Sequence, residues 1–188
     1  RSSDLSSVMR KKVLIISSSL RNRSNSEILA REAARGVKAA GNEVKYVSLK
    51  DKEIRYCLGC MNCIKSEQCV QKDDVAPILT DMKEADAIIF VSPIYYYSIS
   101  GQLKTLLDRT LPFYGRPYLF RDIYLITVSA DTAEDTAKRA IVTLGGWIDC
   151  FDKARFAGGF NAGGLNDANA IEEHSEWLPR AFELGKQI

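Results

Sequence analysis

Short apolar runs rich in β-branched residues alternate along the chain with longer stretches whose apolar positions recur at helical spacing. Val13 to Ile16 reads as a first strand, closed by the polar run Ser17 to Ser26. From about Asn25, the positions Ile28, Leu29, Ala33, Val37 and Ala40 predict a helix, and Gly41 marks its end. Val44 to Leu49 reads as a second strand. Ala87 to Val91 is a continuous apolar strand, as expected of one buried on both faces. Ile123 to Val128 and the short run Ala154 to Ala157 supply the fourth and fifth, with Gly158-Gly159 and Gly163-Gly164 read as flanking turns. Between them lie a short helix capped by Asp73 or Asp74 and running to about Lys83, one through Leu103, Leu106 and Leu107, and one from Thr132 to Leu144. A last helix is expected to begin near Asp167 and to carry Ile171, Leu178, Phe182 and Leu184, with a kink or break at Pro179.

Strand and helix alternate five times, which predicts an α/β fold: a flavodoxin-like, doubly wound, five-stranded parallel sheet between two helical layers. In the strand order 2-1-3-4-5, the loops after strands one, three and four surround one crevice. Those loops are Ser17–Ser26, Ser92–Gly101 and Ser129–Thr132. Residues 9–188 are expected to form one domain. Arg1 to Val8 read as linker, because Met9 is a natural initiator directly before the first strand.

Composition narrows the picture. At 188 residues, 46% apolar and 27% charged, the chain has the make-up of an ordinary globular α/β domain. Its formal charge of +2 is too small, and its Lys and Arg too scattered, to imply nucleic acid or a membrane surface. No apolar run approaches the roughly 20 residues of a spanning helix. The basic start at Met9-Arg10-Lys11-Lys12 is followed by an apolar run far shorter than a secretory one. A cytoplasmic protein is the expectation. Of five cysteines, Cys57, Cys60, Cys63 and Cys69 fall within thirteen residues, a pattern that in a reducing compartment points to metal or redox chemistry.

The first crevice loop offers the donors a phosphate monoester needs. It ends at a helix N-terminus, and it carries the Ser19, Ser24 and Ser26 hydroxyls, the Asn25 amide and Arg21. A solvated turn with a Ser or Asn cap is the plainer alternative. There is no G-x-G-x-x-G and no G-x-x-x-x-G-K-[ST], so neither a dinucleotide fingerprint nor a nucleoside-triphosphate loop is supported. The loop after strand three holds three consecutive tyrosines, Tyr95, Tyr96 and Tyr97, which cannot all enter one core. They suit a flat isoalloxazine ring or an oligomer contact.

The pattern S-x-R-x-x-S-N-S after strand one, with S-P-I-Y-Y-Y-S after strand three, resembles the NADPH-dependent FMN reductase family. Gly101-Gln102-Leu103-Lys104 and Leu107-Asp108-Arg109 extend the likeness. The resemblance implies that Ser19, Arg21, Ser24, Asn25 and Ser26 hold the FMN phosphate beside Ser17. It implies also that Pro93, Ile94, Tyr95, Tyr96, Tyr97 and Ser98 line the isoalloxazine, with Ser129, Ala130 and Asp131 near its other edge. The family often has Gly-Ser-Pro where this chain has Ser18-Ser19-Leu20.

The cysteine spacing C-x2-C-x2-C-x5-C resembles the iron–sulfur flavoproteins, a subgroup whose loop carries a [4Fe–4S] cluster beside the FMN. On a helix, residues three apart turn by about 300° per step, so such thiols converge only from a wrapped loop, which Gly59 eases. Cluster, empty thiols and a four-thiolate zinc site all remain open. The other residues carry bland expectations. His174 is placed in the last helix, Cys150 is small and buried, Asp73-Asp74 is a cap, and Asp108-Arg109 is an ion pair or interface feature.

Two functions compete. One is an FMN-dependent oxidoreductase that takes hydride from NAD(P)H and passes electrons to a small-molecule or protein acceptor, with no catalytic side chain required. The other is an electron carrier between ferredoxin and an acceptor. A receiver domain of the same fold needs acidic residues where Ser17-Ser18 and Ser92-Pro93 stand, and is excluded. A homo-oligomer is expected, with Tyr95–Tyr97 and the Phe113–Phe120 loop as contact surfaces.

Overall fold

The structure is a computed structural model that describes residues 10–188; the linker expected at Arg1–Val8 lies outside them. Five parallel strands are ordered β2-β1-β3-β4-β5: β1 Lys12–Ser17, β2 Glu43–Ser48, β3 Ala87–Pro93, β4 Asp122–Val128 and β5 Arg155–Ala162. This is the flavodoxin-like arrangement anticipated from the sequence. The helices are α1 Asn25–Ala39, α2 Cys63–Ser66, α3 Val75–Glu84, α4 Gly101–Asp108, α5 Lys138–Ile148 and α6 Trp177–Lys186.

Alternation along the buried strands builds the two halves of the core. Leu14, Ile16, Ile88 and Phe90 face α3, α4 and α5, where Leu103, Leu106 and Leu144 are fully buried. Val13, Ile15, Ile89 and Val91 face α1 and α6. Gly36 and Gly185 let those two helices touch backbone to backbone, since a Cβ at Gly36 would lie 2.0 Å from the Phe182 carbonyl oxygen.

Several elements differ from their expected bounds. Strand β5 runs through Gly158 and Gly159, which are not turns. The ladder skips Ala157 there, and Gly159 lies so near β4 that a Cβ would meet the Leu125 carbonyl oxygen at 1.7 Å. Helix α5 begins at Lys138, because residues 134–137 form turns ahead of it. The last helix begins at Trp177, leaving His174 in the preceding loop. Pro179 falls in its first turn, where an N–H would have no helical carbonyl to donate to, and the helix runs on to Lys186. Cys150 is exposed. The aromatics expected at a contact surface split: Phe113 and Phe120 are buried among Trp147 and Phe151, while Tyr114 and Leu119 stay exposed.

Candidate functional site

The loops after β1, β3 and β4 meet in a cleft of about 160 Å³. Ser19, Arg21, Ser24, Asn25 and Ser26 line one end, and Pro93, Ile94, Tyr95, Ser129 and Ala130 line the other, joined by Val128, Leu165 and Asn166. At the first end, Ser24 caps α1 by accepting a hydrogen bond from the Glu27 N–H at 3.0 Å. Among the described residues, the backbone N–H groups of Asn25 and Ser26 donate to no protein acceptor. Ser19, Ser24, Asn25 and Ser26 are all buried.

The Asn25 side chain is committed elsewhere. Its Nδ2 donates to the Asp167 carbonyl at 2.8 Å, and its Oδ1 accepts from the Ile171 N–H at 3.0 Å. Arg21 likewise donates to the Asn166 carbonyl at 2.8 Å. These bonds bring the loop after β5 to the cleft wall, which is how Leu165 and Asn166 enter it without a local sequence signal.

Serines lace the first two loops together. Ser18 Oγ lies 2.8 Å from Ser100 Oγ, so a serine where the family often has glycine gains a buried partner. Ser100 caps α4 by accepting from the Leu103 N–H, and its own N–H donates to Ser92 Oγ at 3.0 Å. Gln102 Nε2 donates to the Ser18 carbonyl at 2.8 Å. In the third loop, Asn161 Nδ2 donates to Ser129 Oγ, which donates to the Asp131 carbonyl at 2.7 Å. The Ile94 N–H reaches the Val128 carbonyl at 2.7 Å, tying the second loop to β4.

Ser17, Tyr96, Tyr97, Ser98 and Asp131 do not line the cleft. Ser17 is buried at the end of β1, with its Oγ unpartnered. Tyr96 and Tyr97 both have positive φ, 48° and 62°, which turns the chain outward and leaves Tyr96 fully exposed. Tyr97 Oη donates to Asp131 Oδ2 at 3.0 Å, which raises the phenol above its usual pKa. The Asp131 carboxyl is lowered, first by the Ala133 N–H and then by Tyr97. Ser98 Oγ pairs with Thr143 Oγ1 at 3.1 Å.

The segment between β2 and α3 wraps through left-handed residues at Gly59, Met61 and Glu67. It thereby brings Cys57, Cys60, Cys63 and Cys69 to the wall of one pocket, with apolar neighbours Met61, Val70, Leu111 and Pro112. Burial pushes the Cys63 thiol above its usual range, and Cys69, Cys57 and Cys60 push it the same way. Arg109, at the C-terminal cap of α4, spans the base of this loop. It donates to the Arg55 carbonyl at 2.7 Å, to Cys69 Sγ at 3.3 Å and to Asp73 at 2.7 and 3.1 Å. Asp108 is not its partner; Asp108 pairs with Lys104 at 2.6 Å. Asp74 is the N-cap residue of α3 but makes no side-chain cap bond; Asp73 instead accepts from the Arg55 and Val75 N–H groups. Among the described residues, no three His, Cys, Asp or Glu side chains are arranged to hold a single metal ion.

Residues 11–149 match the sequence family described as NADPH-dependent FMN reductase. The chain belongs to that family. It is 46% identical over 101 residues to an iron–sulfur flavoprotein of Methanocaldococcus jannaschii, a match covering 54% of this chain and 52% of the relative. The chain thus spans about half the length of that relative. A second iron–sulfur flavoprotein, from Methanosarcina thermophila, is 25% identical over 178 residues, covering 94% of this chain and 93% of its own. The solved structure of an NAD(P)H:quinone oxidoreductase from Methanothermobacter marburgensis shares the fold, with a TM-score of 0.74, 17% identity and coverage of 95% and 96%.

For an FMN reductase family member, the donor chemistry of the cleft is informative. Two free N–H groups at the positive end of a fifteen-residue helix, three hydroxyls and one guanidinium converge there, and among the described residues no carboxylate lines it. Such a set suits a dianionic phosphate monoester. Pro93, Ile94, Tyr95 and Leu165 line the cleft beside it. The donor set therefore fits the phosphate of FMN. The four thiols share one pocket wall.

Proposed function

We propose that this protein is an FMN-dependent NAD(P)H oxidoreductase of the flavin reductase type. The observation that carries the reading is the carboxylate-free cleft at the α1 N-terminus, where three βα loops converge. The Asn25 and Ser26 N–H groups, the Ser19, Ser24 and Ser26 hydroxyls and Arg21 would hold the phosphate. Pro93, Ile94 and Tyr95, with Ser129 and Ala130, would flank the ring. FMN supplies hydride acceptance and one-electron transfer when bound, so the protein's part is binding, orientation and exclusion of water. The Asn25 side chain supports the site by holding the 166–171 segment. Mass analysis of the cofactor released on denaturation tests the reading: FMN is expected, and FAD, or no flavin after reconstitution with FMN, would overturn it.

The four-thiol pocket favours a second reading, an electron carrier between ferredoxin and an acceptor, with a [4Fe–4S] cluster held by Cys57, Cys60, Cys63 and Cys69. A single zinc ion needs four sulfurs closed around one tetrahedron. A cluster takes one thiolate per iron, more widely spaced. One loop wrapped through left-handed residues, with all four thiols on the wall of one pocket, supports the cluster reading. Iron and acid-labile sulfide per chain after anaerobic reconstitution, compared between wild type and Cys60→Ala, decide this reading. Equal uptake by both would end it.

A further inference from the structure

The pocket of the four thiols has a second, larger neighbour that neither reading uses. A cleft of about 780 Å³ lies between the cysteine loop, α3 and the Leu111–Pro117 segment. That volume falls within the range of small-molecule sites, about 300–1,000 Å³, and a concave shape of this size suits a small molecule better than a protein face. Cys69, Gln71, Arg109 and Pro112 form a wall common to it and to the thiol pocket.

Its chemistry is amphipathic. Ala76 and Pro117 offer exposed apolar surface above the buried Val75, Leu79 and Phe113. Two acids line the cleft and each already has a partner: Asp73 pairs with Arg109 and Glu67 with Arg116. Lys72 and Lys83 also line it, and among the described residues neither has a carboxylate within ion-pair distance. The lining therefore carries two uncompensated ammonium groups over apolar surface. Arg109 adds a buried Nε with no hydrogen-bond partner.

We infer that this cleft binds a small, planar, anionic molecule, an aromatic carboxylate or sulfonate of quinone size, against the wall that holds Cys69. Apolar ring faces would lie over Ala76, Pro117 and the aliphatic stems of Lys72 and Lys83, and the anionic substituents would meet the two ammonium groups. The inference does not depend on what the thiols hold. It rests on the cleft alone.

Anthraquinone-2,6-disulfonate is the probe, titrated by calorimetry into FMN-saturated protein. One molecule per chain is expected to bind. Lys83→Glu and Lys72→Glu should each weaken binding by about fivefold or more, the worth of one partly exposed ion pair. Ala76→Trp, which fills the cleft from an exposed helix position, should abolish it. Thermal melting confirms that each variant is folded. No binding to wild type up to millimolar probe, or binding unchanged in all three variants, overturns the inference. So does binding lost in Tyr95→Ala and kept in the three, which would put the probe in the flavin cleft.

Discussion

The Arg109 guanidinium forks onto both carboxylate oxygens of Asp73, and the two side chains are 2% and 1% exposed. Such a pair contributes little net stability against an apolar substitute, but losing one partner strands a buried charge. Arg109→Ala should destabilise the protein by about 3–5 kcal/mol. Arg109→Lys keeps the charge and loses the fork, so it should cost less. Denaturant unfolding of the two variants checks the order.

Acid should act through the same pair. Burial alone would raise the Asp73 carboxyl, but the Arg109 fork and the Arg55 and Val75 N–H groups outweigh it and hold it below its ordinary 3.8. A depressed carboxyl contributes stability that is present above its unfolded value and lost as pH falls through the folded one. Stability should therefore drop below about pH 4. Asp73→Asn should flatten that drop while lowering stability at neutral pH. Unfolding free energies measured from pH 7 to pH 2.5 would contradict this if both proteins lost stability in parallel.

In the flavin cleft, direct and indirect contributors should separate. Ser19→Ala should weaken FMN binding by about 1–2 kcal/mol, a lost bond to a charged group. Asn25→Ala should weaken it comparably, and should also raise hydrogen exchange in residues 166–171, which Ser19→Ala leaves protected. His174→Ala should change neither. Flavin fluorescence titration with exchange mass spectrometry distinguishes the three.

The outward turn of Tyr96 should serve self-association. Tyr96 is fully exposed, and Val142 and Ile141 on α5 are exposed apolar residues. The turn is joined to that helix by the Ser98–Thr143 bond and by Arg139 over the Tyr97 ring. Large exposed apolar groups of this kind are characteristic of contact surfaces. Light scattering at micromolar concentration should return a multiple of the 21.0 kDa chain mass, and Tyr96→Glu should lower it.

Much of this was legible in the chain. Strands β1, β3 and β4 are apolar runs that no other element explains, and they fix where the crevice loops fall. The Ser-Asn run was readable because a helix N-terminus and its cap are local. What was hidden is long-range. Leu165 and Asn166 reach the cleft through the Asn25 bonds across more than 140 residues. The Arg109–Asp73 pair joins positions 36 apart. Strand β5 was cut short because Gly158 and Gly159 resemble a turn locally, and only contact with β4 makes them strand.

Helix α4 is capped at its start by Ser100, bonded to Ser18 and Ser92 beside the cleft at the α1 N-terminus, and at its end by Arg109, bonded to Cys69. It therefore acts as a ruler between the two sites. Eight helical residues measure about 12 Å, and each residue added or removed would change the gap by about 1.5 Å and swing Arg109 by about 100°. Side chains along α4 can vary without altering that gap. Its residue count cannot.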